Sequence, residues 1–400
     1  MDLKDLRGRL DAIKQQSAAT PDEDSRTAKP EQSDAGEVLL ENGWNKVEDM
    51  VYEKVSVIKN ALPQNVSSIL LNKIQSPDRK IPASDLIFYD TETTGLSAGA
   101  GNIIFLAGFG ELVPGTDNFQ ITQIFLSDFP GEPAFLDRLK DFISPERIYV
   151  SYNGKSFDAN VLNTRFSMNG IKAEFGYQLD LLYSSRRLWK NIIGSCSLGD
   201  IETRILDKHR ELDVPGFMIP DLYFDFVRTG RWDTIAGVIA HHLEDIASLA
   251  ELLTVHEQLF DEAAGGTPGP GNDTGAGTTD FFDQLGLASM LIEKRPEAAV
   301  EVLKQAWGAG NYRAGIELSL IFKRTDRWEQ AIMIWEKLWA DGRSIFAATE
   351  LAKYYEHRAH KPETALEITE KMLAMERFRI AQHLPDLNKR YGRLKKRTSR

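Results

Sequence analysis

The apolar strand Leu86-Ile-Phe-Tyr runs without a break into Asp90-Thr-Glu92-Thr-Thr-Gly95, and this junction constrains the fold more than any other segment. Residues two apart on a strand share a face, so Asp90 and Glu92 point the same way. Two like charges held side by side at the end of an apolar strand are unfavourable unless the fold brings a counter-charge to them. A pair of divalent cations is such a counter-charge. Two metals roughly 4 Å apart can activate water and stabilise the leaving oxygen of a phosphodiester. Gly95 then permits a tight turn behind the acids. An isolated Asp-x-Glu is common surface decoration; its place after Asp85-Leu-Ile-Phe-Tyr gives it weight.

Further segments complete a pattern around that strand. Asn102–Ala107, Phe119–Phe125 and Arg147–Ser151 carry the β-branched and aromatic residues of strands, and a helical stretch over Ala134–Phe142 precedes the last. Helical periodicity follows over 157–169, 180–190, 197–204 and 233–260. A strand meander followed by strand–helix alternation predicts a mixed sheet covered by helices, within an ordered region over 43–260 whose core is 84–260.

On either side the character changes. Within 1–42, residues 2–16 have Leu3, Leu6, Leu10 and Ile13 at helical spacing, whereas 17–38 are polar and Pro-containing and read as disordered. Residues 261–280 are rich in Gly, Pro and Thr, the composition of a flexible linker and a domain boundary. Beyond it, 281–400 repeats itself. Pro296-Glu-Ala-Ala-Val, Trp328-Glu-Gln-Ala-Ile and Pro362-Glu-Thr-Ala-Leu align, with Ala299, Ala331 and Ala365 spaced 32 and 34 residues apart and Glu317-Leu318 and Glu350-Leu351 spaced 33 apart. A period near 34 with paired helices resembles the tetratricopeptide class. Its basic tail from Arg377 has nine Lys/Arg against one acid, Asp386.

Composition narrows the class. The net charge of −11 argues against a general electrostatic grip on nucleic acid, although a carboxylate site attracts phosphate once metals neutralise it. One cysteine, Cys196, excludes an internal disulfide and fits a reducing cytosol. With no apolar run of the roughly 18 residues that span a bilayer and no secretory apolar core at the N-terminus, the expectation is a cytoplasmic protein without a membrane partner.

Two further elements supply acids. In Tyr152-Asn-Gly-Lys-Ser-Phe-Asp158 a strand leads through a turn into a helix, which sets Asp158 in the first helical turn and Asn153 on the loop. Within the helix over 233–260, His241-His-Leu-Glu-Asp245 places Asp245 four residues after His241 and three after His242, so either imidazole shares its face. A histidine near its ordinary pKa beside activated water is a suitable general base.

This order of Asp-x-Glu, Asp, then His and Asp resembles the DEDD exonuclease superfamily over roughly residues 84–260. The resemblance implies an α/β, ribonuclease-H-like mixed sheet with flanking helices, followed here by the all-α tetratricopeptide-like repeats. It implies two divalent ions, Mg²⁺ or Mn²⁺, held by Asp90, Glu92, Asp158 and Asp245. His241 would orient or deprotonate the attacking water, with His242 as the alternative base. The histidine subtype places its His five residues before the last Asp, where this chain has Ala240; His241 stands at the four-residue spacing of the tyrosine subtype. Phe88-Tyr-Asp-Thr-Glu-Thr-Thr-Gly-Leu, Arg186-Arg-Leu-Trp, Ser195-Cys-Ser-Leu and Pro215-Gly…Ile-Pro220 are similar to the YprB-like branch of bacterial ribonuclease-H-like proteins.

The implied activity is 3′–5′ exonucleolytic hydrolysis of DNA or RNA at single-stranded ends, with Thr91, Thr93, Asn153 and Lys155 as candidate substrate contacts. Two alternatives remain: a helical-repeat scaffold that binds a protein partner and carries the fold as a nucleic-acid-binding module, or a structure-specific endonuclease. Asp180, ahead of Leu181-Leu-Tyr, is suited to cap a helix. Cys196 is suited to pack as a small apolar residue. Arg186, Arg187 and Lys190 with Trp189 have the composition of a single-strand surface, although helical spacing turns Trp189 toward the core.

Overall fold

A computed structural model describes residues 34–60, 62–71, 79–95, 101–210, 214–265, 282–342, 344–375 and 381–399. The helix expected over 2–16 and most of the 261–280 segment lie outside the described residues.

Nine strands are present among them: β1 (Asn45–Glu48), β2 (Val51–Lys59), β3 (Asn65–Ser67), β4 (Lys80–Pro82), β5 (Leu86–Thr93), β6 (Ile104–Leu112), β7 (Asn118–Leu126), β8 (Ile148–Ser151) and β9 (Tyr177–Asp180). Seven form one sheet in the order β1-β2-β7-β6-β5-β8-β9, while β3 and β4 pair separately. The β1-β2-β7-β6-β5 ladder is antiparallel, and β8 and β9 add parallel to β5, which makes the sheet mixed as the sequence predicts.

The acidic strand β5 lies inside this sheet and is buried on both faces. Leu86 and Phe88 enter one apolar layer, and Ile87 and Tyr89 enter the other, as the two-residue period of a strand requires. The helices that cover the body are α1 (Ala35–Glu41), α2 (Glu132–Lys140), α3 (Asp158–Met168), α4 (Leu181–Ile193), α5 (Leu198–Arg204), α6 (Ile219–Thr229) and α7 (Trp232–Ala263). Order therefore extends ahead of residue 43: Asp34 caps α1, and Leu39 is fully buried beside Trp44 in the second layer. The disorder expected up to residue 38 does not hold for 35–38, because one apolar anchor fixes a short capped helix.

Helix α7, of 32 residues, crosses both layers, with Ile235, Val238 and Ile239 in one and Ile246, Leu249 and Leu253 in the other. It lies close on β6 because Gly108 has no side chain: a Cβ there would collide with His242 and Ile246. A methyl group at that position would push the helix, and its acids, off the sheet.

The helix runs to Ala263, three residues into the expected linker. After the gap come α8 (Gln284–Leu291), α9 (Pro296–Gly308), α10 (Tyr312–Arg324), α11 (Trp328–Gly342), α12 (Ile345–His357), α13 (Pro362–Leu373) and α14 (Leu384–Thr398). The three aligned sequence motifs open α9, α11 and α13, and Ala299, Ala331 and Ala365 are all fully buried in equivalent positions. This helical region is docked on the body rather than merely tethered to it. Asp283 N–H donates to Leu188 O at 2.6 Å, Asn191 Nδ2 donates to Asp283 at 2.6 Å, and Arg295 Nη1 donates to Phe260 O at 2.7 Å. The apolar layer on the Phe88 face continues into the C-terminal helices.

Candidate active site

Three elements converge where β5 leaves the core. Strand β5 brings Asp90 and Glu92, α3 begins at Asp158, and α7 brings His241 and Asp245. Their proximity shows in their electrostatics. Burial pushes the Asp90 carboxyl well above the ordinary carboxylate range, and the charges of Asp158, Asp245 and Glu92 push it further. Burial raises Glu92 in the same way, followed by Asp245 and Asp158. Asp158 is pushed up to about 6, mainly by burial, against the hydroxyl of Thr91, which donates to it and favours its charged form. Asp245 is also raised by burial, with His241 and Arg210 acting in the opposite direction.

One ligand atom from each of Glu92, His241 and Asp245 lies within 4.8 Å of the others, an arrangement that could hold a metal ion. Oxygen-rich sets of this kind suit Mg²⁺ and Mn²⁺, and the mutual repulsion of the acids makes bound positive charge favourable.

Arg210, which the sequence reading did not single out, supplies part of that charge from the protein itself. Its guanidinium pairs with Asp245, with Glu202 at 2.6 Å and with Glu244 at 3.6 Å, and its Nη1 lies 2.5 Å from His241 Nδ1. The fork geometry of arginine suits simultaneous contact with several carboxylates. The opposite ring nitrogen of His241, Nε2, lies 3.4 Å from Asp245. With Nδ1 facing an N–H donor, the imidazole proton is assigned to Nε2, directed at Asp245.

The two histidines have different surroundings. His242 is fully buried, with Nδ1 at 2.9 Å from the Gln123 amide nitrogen and Nε2 at 3.1 Å from the Asp90 carbonyl. Burial lowers its pKa to about 4, so it stays neutral, donating from Nε2 to Asp90 O and accepting from Gln123. It ties α7 to β5 and β7. Both ring nitrogens of His242 are thus engaged within the chain, which weighs against His242 as the base.

The smaller candidates also separate. Thr91 and Thr93 are buried, and their hydroxyls are engaged within the chain: Thr91 donates to Asp158, and Thr93 donates to Gly95 O at 2.7 Å. Asn153 and Lys155 are exposed on the loop before α3, and Asn153 takes the left-handed backbone at φ +66°. Its N–H donates to Asp180 at 2.8 Å, and the same carboxylate oxygen accepts from Leu182 N–H at 3.1 Å as the cap of α4. Trp189 is buried edge-on against His256, with 5.1 Å between ring centroids, while Arg186, Arg187 and Lys190 are exposed. Half-buried Cys196 has its thiol pushed up by burial, which disfavours the reactive thiolate.

A sequence profile of the RNase_H superfamily matches residues 87–256, the span from the acidic strand to the last turns of α7. The "Uncharacterized protein YprB" of Bacillus subtilis (strain 168) is 32% identical over 330 residues, covering 79% of this chain and 76% of YprB. The chain belongs to the YprB family. Its ribonuclease-H-like mixed sheet followed by a region of many helices agrees with that placement. Among solved structures, exonuclease I aligns with a TM-score of 0.29 and 12% identity over 55% of this chain and 43% of that one. The zinc-bound E. coli ExoI–ssDNA complex aligns with a TM-score of 0.26 and 16% identity over 45% of this chain and 44% of that one. This YprB-family chain thus spans less than half of either exonuclease I structure. Among the described residues no helix is long and apolar enough to cross a membrane.

Proposed function

We propose that this protein is a metal-dependent 3′–5′ exonuclease that hydrolyses phosphodiester bonds at single-stranded ends of DNA or RNA. The observation that carries the reading is the gathering of Asp90, Glu92, Asp158 and Asp245 from three separate elements into one site where burial and mutual repulsion disfavour their charges. A fold gains nothing in stability from such a cluster, which points to a ligand that needs it. These four carboxylates would hold two divalent ions, Mg²⁺ or Mn²⁺, which supply charge neutralisation and Lewis acidity when bound.

The chain's own groups have distinct tasks. Thr91 holds Asp158 ready through its hydroxyl, and His242 fixes the Asp90 backbone. His241 is the base: it takes the proton of the attacking water at Nδ1 while its Nε2–H stays directed at Asp245. For that step Arg210 has to release Nδ1, which it contacts at 2.5 Å. Asn153 and Lys155 flank Asp158 on the exposed side, where the substrate strand would pass.

The test is hydrolysis of end-labelled single- and double-stranded DNA and RNA with and without Mn²⁺. Release of nucleotides should require the metal, proceed from the 3′ end and vanish in Asp90→Asn. Equal release by wild type and variant would mean that the activity is not the protein's.

We read the C-terminal helices as tetratricopeptide-like repeats that deliver the nuclease to a protein partner. The support is the equivalent burial of Ala299, Ala331 and Ala365 and of Leu318 and Leu351 at a period near 33 residues. Capture of a specific protein by the full chain, unchanged by Asp90→Asn, would favour this scaffold role, which is compatible with catalysis.

A further inference from the structure

Next to the carboxylate cluster, a cleft of about 680 Å³ opens between the nuclease body and the first C-terminal helix. That volume lies within the range of ligand pockets, about 300–1,000 Å³. Asp180 forms its inner end: this residue pairs with Ser151 in the β8–β9 register, binds the Asn153 N–H, and its charge is felt by Asp158. Lys155, Tyr183 and Arg187 line the body side, and Glu293 and Lys294 line the opposite wall.

Three features make this more than a surface dent. Cations stand on both walls, and one of the facing acids, Asp180, already has its charge engaged by the N–H groups of Asn153 and Leu182. Tyr183 leaves 51% of its surface exposed, so its ring is open on the cleft while its hydroxyl contacts Ser156 at 3.2 Å. The outer wall is also rigidly placed. A Cβ on Gly286 would overlap the Arg187 carbonyl, so only glycine lets α8 sit this close to α4, and Asp283 locks the contact to Leu188 and Asn191.

We infer that this cleft is a strand-binding subsite built jointly by the nuclease body and the C-terminal helices. It holds the single strand behind its 3′ terminus, with backbone phosphates on Lys155, Arg187 and Lys294 and a base stacked on Tyr183. The C-terminal region is thereby a wall of the substrate path as well as an appendage. The inference rests on the nuclease reading for the direction of the strand, but not for binding itself.

The test uses the full chain carrying Asp90→Asn, so that the probe is not consumed, and the anisotropy of a labelled single-stranded oligonucleotide as salt rises. Paired substitution Arg187→Ala with Lys294→Ala should lower the slope of log affinity against log salt by about 1.4, because each neutralised phosphate contributes about 0.7 on a single strand. Tyr183→Leu should weaken binding about tenfold with the slope unchanged, as expected for loss of a stacked base. Full affinity and an unchanged slope in both variants would overturn the inference. So would complete displacement of the strand by an equimolar mononucleotide, which would make the cleft a nucleotide pocket. The two readings fail separately. Metal-dependent hydrolysis by wild type with no binding loss in the cleft variants removes the subsite alone. Cleft-dependent binding without any hydrolysis supports the subsite and removes the nuclease.

Discussion

Replacing Asp158 by Asn should stabilise the chain in a chelator and lessen the stabilisation it gains from metal. Asp158 is buried in the first turn of α3, and its carboxyl is pushed up to about 6, roughly two units above an unfolded aspartate. Between about pH 4 and 6 the folded chain holds a proton that the unfolded chain has released, so stability falls as pH rises through that window and stays lower above it. Two units amount to roughly 3 kcal/mol once the group is charged. Asn copies the shape of the protonated acid and keeps an oxygen for the Thr91 hydroxyl. In a chelator, Asp158→Asn should therefore be more stable than wild type by up to roughly 3 kcal/mol above about pH 7, and no more stable below about pH 4. Manganese should narrow that gap: at about a hundred times its dissociation constant it adds roughly 2.7 kcal/mol to wild type and less to a variant with one charged ligand fewer. Urea unfolding in EDTA on either side of pH 6, repeated in Mn²⁺, measures both effects. A variant less stable than wild type at high pH in EDTA, or equal stabilisation of the two by Mn²⁺, would rule out a raised Asp158 pKa that metal relieves.

Three other perturbations test the surroundings of the site. His242→Ala removes the bonds to Gln123 and to the Asp90 carbonyl and opens a void against Gly108; the expected loss is about 2–4 kcal/mol in urea unfolding, and an unchanged midpoint contradicts the structural role. Glu257, buried and bound to the Ser67 N–H at 2.7 Å, has its carboxyl pushed up to about 7, chiefly by burial. Its raised folded pKa costs stability as pH climbs from about 4.5 to 7, so Glu257→Gln should flatten the pH–stability curve and gain roughly 3 kcal/mol above that window; a curve with the wild-type slope contradicts this. Gly286→Val should lift α8 from α4 and speed amide hydrogen exchange across Gln284–Leu291, and exchange at the wild-type rate would mean that the close contact does not hold the two together.

Much of the body is legible in the sequence because burial is periodic. Strands β5, β6 and β8 open on apolar runs, and β7 sets Phe119, Ile121, Ile124 and Phe125 among Gln and Thr, so their buried positions stand out. Strand β2 escapes because the face of Glu53 and Lys59 also leaves Val55 and Val57 in solvent, which blurs the alternation. Helix α6 escapes because Pro220 and Gly216 suggest a turn, whereas a proline in the first helical turn marks a start. At the site, spacing alone places His241 and His242 within a turn of Asp245. Only the packing of Gly108 against α7 shows which of them is spent on the fold. Arg210 carries no local signal at all: it comes from an aperiodic stretch after α5 and acquires its role through Glu202, Asp245 and His241, which are distant in sequence or on other elements.

The charge balance at that site limits how it can be settled. Asp90, Glu92, Asp158 and Asp245 carry four negative charges when ionised, and Arg210 answers with one, part of which is already engaged by Glu202. The remaining excess has two outlets. The carboxyls can bind protons, as their raised pKa values indicate, or they can bind cations. Both outlets use the same oxygens, so they compete, and a proton on Asp90 or Glu92 removes a charged ligand. Two divalent ions carry four positive charges and match the four carboxylates without help from Arg210. On the proposed reading, two bound ions would make the guanidinium redundant at Asp245 and let it leave His241 Nδ1.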